Sequence, residues 1–310
     1  MKISKQTKDL VHESVFDFGI GFRRGSKGNA TFAPMKNALQ SERMEQERLR
    51  YFLDCPTLFE EALPDGTPVF QTGLDGLENA AKLDAGQAGR RFGHKMESYF
   101  SAWLAGHERY AAMAQNLQFF SDGQTLGELD FLVSDRALGQ VLHIELAYKF
   151  YILSTGHGSP EWVGPNRQDS LQAKLDKLRQ RQFPLLRHPM SQKVLQTLGI
   201  DVASVRQMAC LKGQLFLPKG YTGPLPYGVN AEAVVGSWTT FSRLESGQVH
   251  GVRYCLPAKE DWVLPPFKSL EWEAPEAAMA ALKGMDRAQL CWLQYPDGSY
   301  ERQMVLPEQL

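Results

Sequence analysis

The sequence holds few of the residues that mark a special chemistry. Only four cysteines occur in 310 residues: Cys55, Cys210, Cys255 and Cys291. None forms a CxxC pair, and no histidine stands near one at zinc-ligand spacing. They read as buried free thiols of a protein in a reducing cytosol. No apolar run approaches the ~20 residues that cross a bilayer. The opening MKISKQTKDL carries charge but is not followed by the apolar stretch of a signal peptide. The expectation is a cytoplasmic protein with no membrane partner. An excess of either charge is also missing, with 34 Lys and Arg against 35 Asp and Glu. That excludes a polycationic nucleic-acid binder but leaves room for a local basic surface. Repeats and low-complexity segments are absent. What is present is an average globular composition, 43% hydrophobic and 22% charged. It excludes a disordered chain, a collagen-like chain and a membrane bundle.

Residues 1–85 read as a mainly helical N-terminal extension. GFRRGSKGNATFAPMKNAL within it is a Gly-rich, basic loop, and SERMEQERLRYFLDCPTLFEEAL is a helix capped by Ser41 that ends near Pro56. The pattern sharpens at about residue 86. Phe92, Met96, Tyr99, Phe100, Trp103 and Leu104 repeat with a 3.6-residue period, so GRRFGHKMESYFSAWLAG is an amphipathic helix. Three strand candidates follow, NLQFF, TLGELDFLVS and QVLHIELAYKFYIL. The turns between them are Ser121-Asp122-Gly123 and Asp135 to Gly139. After a Gly/Pro-rich loop, NRQDSLQAKLDKLRQRQF is a second helix, and RQMACLKGQLFLP is a strand interrupted by Gly213. Helix, three strands, helix, strand predicts a mixed α/β sheet with helices on its faces over 86–218. Residues 219–310 read as an α+β extension packed on that core. It holds a short helix (APEAAMAALKGM) and a hairpin around Pro-Asp-Gly (LCWLQY, YERQMVL).

The chemistry sits on the strands. In QVLHIELAYKFYIL, Leu142, Ile144, Leu146, Tyr148, Phe150 and Ile152 share one face, which is core. His143, Glu145, Ala147, Lys149 and Tyr151 share the other. A central strand of an α/β sheet is usually apolar on both faces. A carboxylate and an ammonium buried unpaired would cost several kcal/mol. That face is therefore open to solvent, closed by a Glu145–Lys149 ion pair, or a site. In the preceding strand Glu128 and Asp130 share a face. If the two strands pair antiparallel, Asp130 and Glu145 come within reach of one ion. Such an oxygen-rich pair suits Mg²⁺ or Mn²⁺. Glu97 on the flank of the first helix is a candidate third carboxylate.

The segments RFGHKMESYF, TLGELDFLV, HIELAYKFYI and VGPNRQDSLQAKL, with weaker agreement in GQLFLP and GSWTTF, resemble the PD-(D/E)XK phosphodiesterase superfamily. More closely, they resemble a bacterial family of unknown function assigned to it. The resemblance covers about residues 88–218. It implies a restriction-endonuclease-like α/β core, with a helical extension before it and an α+β extension after it. It implies Mg²⁺- or Mn²⁺-dependent hydrolysis of DNA or RNA. It also implies that Glu97, Asp130 and Glu145 hold the metal, with Asp130 and Glu145 catalytic. The superfamily's motif lysine falls on Ala147 here. Lys149 stands one strand repeat further, ~6.6 Å along the same face, and is the candidate to replace it.

Residues 166–193 carry seven basic residues against two acidic ones, while 86–165 carry six against eight. Lys174, Lys177 and Arg181 fall at i, i+3 and i+7, one helical face able to meet a phosphate backbone. Asp169, Gln172 and Glu128 are accessory candidates. The rival expectations are a catalytically inactive module of the same fold that binds nucleic acid or protein, and an assembly protein whose charged strand face is merely wet.

Overall fold

The computed structural model describes residues 32–81, 83, 91–121, 123–156, 158–266 and 271–308. The leader before residue 32, Asp122 of the first turn and residues 84–90 at the expected start of the core lie outside them. The chain divides into compact units 1–39 and 40–310. The description below concerns the second.

A nine-stranded mixed sheet runs through this unit. The strands are β1 (Tyr110–Ser121), β2 (Gln124–Asp135), β3 (Gln140–Ser154), β4 (Glu161–Val163), β5 (Arg206–Pro218), β6 (Val234–Thr240), β7 (Arg253–Cys255), β8 (Gln289–Gln294) and β9 (Tyr300–Leu306). Their order is β1-β2-β3-β5-β6-β9-β8-β7, with β4 paired to the end of β3. β1, β2 and β3 form an antiparallel meander. β3, β5, β6 and β9 run parallel, and β9, β8 and β7 are antiparallel. Residues 219–310 thus extend the same sheet edgewise beyond Pro218.

Helix α1 (Phe32–Asp54) begins ahead of Ser41, inside the stretch expected to be a loop, and ends just before Pro56. Helix α2 (Phe92–Gly106) follows its apolar period. Met96, Tyr99, Phe100 and Trp103 of α2, and Leu49, Phe52 and Leu53 of α1, pack on the apolar face of β3. Each fully buried large side chain there contributes about 2–3 kcal/mol. The opposite face of the sheet buries Tyr151, Leu153, Leu211 and Leu215 under Leu171, Leu178 and Phe183. These three belong to helix α3 (Leu171–Lys177) and its continuation. Ser170 caps α3 by accepting the Ala173 N–H. The helix then widens into a π-turn at Leu178–Gln182 before a last turn at Phe183–Leu185. The polar face of β3 is therefore covered by the α3 segment, and its charged groups are not merely wet.

β5 is unbroken at Gly213. It pairs with β3 from Leu142↔Arg206 to Ile152↔Phe216, with Lys149 opposite Gly213. A Cβ at Gly213 would overlap the Lys149 carbonyl oxygen. The glycine permits close backbone approach and does not interrupt the strand.

The four thiols are free. Cys210, Cys255 and Cys291 are buried and Cys55 is half-buried. Among the described residues no helix is long and apolar enough to cross a membrane.

Candidate functional site

The site arises where β2 leaves β3. The two strands pair only from Asp135↔Gln140 to Phe131↔Ile144, while β2 continues beside β1 alone. Asp130 and Glu145 would form the next rung. At that point the Asp130 side chain takes over, its Oδ2 accepting the Leu146 N–H at 2.9 Å. Asp130 is 8% exposed and Glu145 fully buried.

Glu145 is held at both oxygens. Its Oε1 lies 2.8 Å from His143 Nε2, and its Oε2 accepts a hydrogen bond from the Gln182 amide. Gln207 fixes the imidazole. Its Nε2 donates to the Phe183 carbonyl and to His143 Nδ1 at 3.1 Å, while its Oε1 accepts from Arg187. Nδ1 is thus the acceptor, and Nε2 carries the proton that points at Glu145. Gln182 reaches Glu145 from the π-turn, and its own Oε1 accepts from Lys174 Nζ at 2.9 Å.

Two buried carboxylates on neighbouring strands repel each other. Burial, and then the charge of Glu145, push the Asp130 carboxyl up to about 8; the Leu146 hydrogen bond and Lys174 only partly offset this. Lys174 is pushed the other way by burial, against the pull of Glu145 and Asp130. The ammonium whose charge is felt at Asp130 is that of Lys174, entering from α3.

Asp130 and Lys174 line an open cleft of about 940 Å³. Glu97, Glu128, Lys149, Asp169 and Lys177 line it too. Glu97 is half-buried, with Oε2 3.4 Å from both His94 Nδ1 and Asn116 Nδ2, and its charge is felt at Asp130. Glu128 is exposed and takes a hydrogen bond from Gln118. Lys149 does not pair with Glu145. Its Nζ lies 2.5 Å from Asp169 Oδ2. Gln172 is exposed and outside the cleft lining. The expected face of Lys174, Lys177 and Arg181 is split. Lys174 turns inward, Lys177 lines the cleft, and Arg181, beyond the start of the π-turn, is exposed away from the lining.

Sequence reasoning missed Gln182, Gln207 and the far wall of the cleft, Ala258 to Trp262. No local pattern marks the two glutamines. The wall comes from a part of the chain more than a hundred residues away from β3.

The residues fit a hard divalent cation as a two-carboxylate site. Carboxylate oxygens have further lone pairs beyond those used by Leu146, His143 and Gln182, and such partners orient metal ligands. Among the described residues no group of three or more His, Cys, Asp or Glu stands close enough together to hold a metal ion. The remaining ligands would be water and substrate, as Mg²⁺ commonly has it.

Fold and site together define a mixed α/β protein with a partly basic cleft lined by Asp130, behind which Glu145 is buried. The model of a family described as a domain of unknown function, DUF1853, matches residues 70–295, and the chain belongs to that family. No curated protein and no solved structure matches the chain.

Proposed function

We propose that the chain is a divalent-metal-dependent phosphodiesterase acting on nucleic acid, on a PD-(D/E)XK-like core. The observation that carries this reading is the placement of Asp130 and Glu145. They are two buried carboxylates at the positions one rung beyond the last β2–β3 pair, Asp130 lining an open cleft and Glu145 buried behind it. A buried like-charge pair is costly unless a cation or a proton neutralises it. The element order helix, antiparallel three-stranded meander, helix, parallel strand agrees with the superfamily core. When bound, Mg²⁺ or Mn²⁺ would activate a water and stabilise charge on a phosphate.

The chain's own residues divide the remaining work. Asp130 and Glu145 hold the cation. The Leu146 N–H, His143 and Gln182 keep the two carboxylates in place. Glu97 adds negative charge at the cleft wall. Lys174 supplies the ammonium that Ala147 does not, and Lys177 attracts the polymer. Lys149 is engaged by Asp169, so it serves the wall of the cleft and not its floor.

A second reading, a nucleic-acid-binding module without turnover, draws on Ala147 and on the Lys149–Asp169 pair. Both are decided by incubating the purified protein with single- and double-stranded DNA and RNA, in Mg²⁺, Mn²⁺ or EDTA. The phosphodiesterase reading expects cleavage with metal only, abolished in Asp130→Asn and in Glu145→Gln. Binding without cleavage under every condition selects the second reading. If the protein neither cleaves nor binds any of them, both fall.

A further inference from the structure

The geometry points to a single-stranded, unstacked polynucleotide as the occupant of the cleft, with Phe92 as its stacking platform. This deepens the phosphodiesterase reading and rests on it for the identity of the polymer.

Depth is the first reason. Asp130 is nearly buried and Glu145 wholly so. A duplex carries its phosphates on the outside of a wide, stiff cylinder and meets groups that stand at a surface. A phosphate brought to the floor of a cleft must ride on a backbone that can bend away from its partner strand.

The far wall is the second reason. Ala258, Lys259, Glu260 and Trp262 line the cleft, with the Trp262 ring packed on Phe150 of β3 at 5.1 Å, and the segment is tied to the rest of the fold. Glu260 Oε2 lies 2.5 Å from Lys95 Nζ, and Asp261 Oδ1 lies 2.7 Å from Arg48. Gln214 donates to the Trp262 carbonyl at 3.0 Å. These ties bind the wall to α1, α2 and β5, so the cleft does not widen by swinging a loose loop aside.

The third reason is the character of the rim. Phe92 is only half-buried. Its ring packs at 71° to Tyr148 with centroids 5.6 Å apart, and is tilted against Phe150 at 5.3 Å. Packing of this kind holds a ring still, and Phe92 also lines the cleft. Exposed Arg91 stands beside it. Exposed Lys259 lies over Trp262, and the charges of Lys149 and Arg287 are felt at Lys259. A fixed ring flanked by cations is the combination that binds single strands, through stacking and phosphate attraction.

Fluorescence anisotropy on the full chain in EDTA separates binding from cleavage. The probes are a labelled oligo-dT, a labelled oligo-U and a blunt DNA duplex of the same length. At least one single strand is expected to bind ten-fold or more tighter than the duplex, and the dT and U arms tell DNA from RNA. Phe92→Leu is expected to weaken single-strand binding about five-fold or more and to leave duplex binding unchanged. Lys259→Gln, at an exposed position, lowers the slope of log K against log salt by about one phosphate contact. Equal or tighter duplex binding overturns the inference, as does a Phe92→Leu protein that melts like wild type and binds single strands equally well. So does an absence of binding to all three probes. Tight single-strand binding without any metal-dependent cleavage would leave this inference standing and remove the phosphodiesterase reading. Cleavage confined to duplexes would do the reverse.

Discussion

Asp130 completes with its side chain the ladder that its own strand abandons: Oδ2 accepts the Leu146 N–H at 2.9 Å, where the β2–β3 pairing ends at Phe131↔Ile144. One residue thus caps an otherwise orphaned backbone donor on β3 and puts a carboxylate opposite Glu145. The opening of the sheet and the acidity of the cleft floor have a common origin.

The pH dependence of stability follows from that carboxyl. Burial and then Glu145 push it up to about 8, whereas an unfolded Asp loses its proton near 3.8. The folded state therefore holds the extra proton between these values, and stability falls as pH rises from about 4 to about 8. Asp130→Asn keeps an acceptor for Leu146 and removes the charge. In EDTA at pH 8 it is expected to be more stable than wild type by about 1 kcal/mol or more, and the difference shrinks towards pH 4. Thermal melts at pH 5 and 8 check this. A gap of the same size at both values would show that the charge of Asp130 is not what matters.

Much of this was legible in the sequence where periodicity is strong. The 3.6-residue repeat of α2 and the alternation of β3 identify both core faces, and 206–218 is a strand as expected. Alternation also put His143, Glu145 and Lys149 on one face. It says nothing about what covers that face, because α3 reaches it through a tertiary contact. The basic face Lys174–Lys177–Arg181 assumed a regular helix. The π-turn at Leu178–Gln182 changes the register, sends Gln182 to Glu145 and separates Arg181 from the lysines. The Glu145–Lys149 pair does not form because Asp169, brought in by the loop before α3, captures the ammonium.

Gly213 offers a test of the β3–β5 seam. Any Cβ there would overlap the Lys149 carbonyl, which is backbone and cannot rotate away. Gly213→Ala should force the two parallel strands apart beside the cleft, at a cost of about 2–3 kcal/mol. Urea denaturation should show a lower midpoint. An unchanged midpoint would mean that the seam relaxes without strain.

The ion pairs behind the far wall differ in worth from those on the surface. Lys95 is 3% exposed, with Nζ 2.5 Å from Glu260 and 3.4 Å from Glu45. Arg179 and Asp176 pair in the open. Lys95→Met should cost about 1–3 kcal/mol, and Arg179→Ala under about 0.5 kcal/mol. Burial pushes the Glu260 carboxyl up, but the Lys95 hydrogen bond and the Arg48 and Lys95 charges outweigh it and hold it below its ordinary 4.5. Its contribution is present above that value and is lost as pH falls through the depressed one. The Lys95→Met penalty should therefore shrink in acid. Denaturation of both variants at pH 7 and pH 3.5 tests the contrast, and equal costs at pH 7 would contradict it.

The two cleft lysines should separate cleanly in kinetics. Lys149 shares the strand face of Glu145 and is the natural substitute for a lysine at Ala147 when only the strand is considered. Its ammonium is nevertheless committed to Asp169 at 2.5 Å. Lys174 comes from a different element, yet its charge is felt together with those of Asp130 and Glu145, and among the described residues its ammonium donates a hydrogen bond to the Gln182 amide oxygen and pairs with no carboxylate. An amide carries no charge to neutralise the ammonium, so Lys174 is not committed to a carboxylate and is placed to meet a phosphate arriving at Asp130. Removing one such preorganised donor costs about 10²-fold or more in rate. Lys174→Met should therefore lower metal-dependent cleavage by about 10²-fold with little change in substrate binding. Lys149→Met frees Asp169 and should act mainly on affinity. Single-turnover rates and Kd for both variants decide between them. If Lys149→Met loses the rate and Lys174→Met keeps it, the strand lysine and not the helix lysine serves the reacting phosphate.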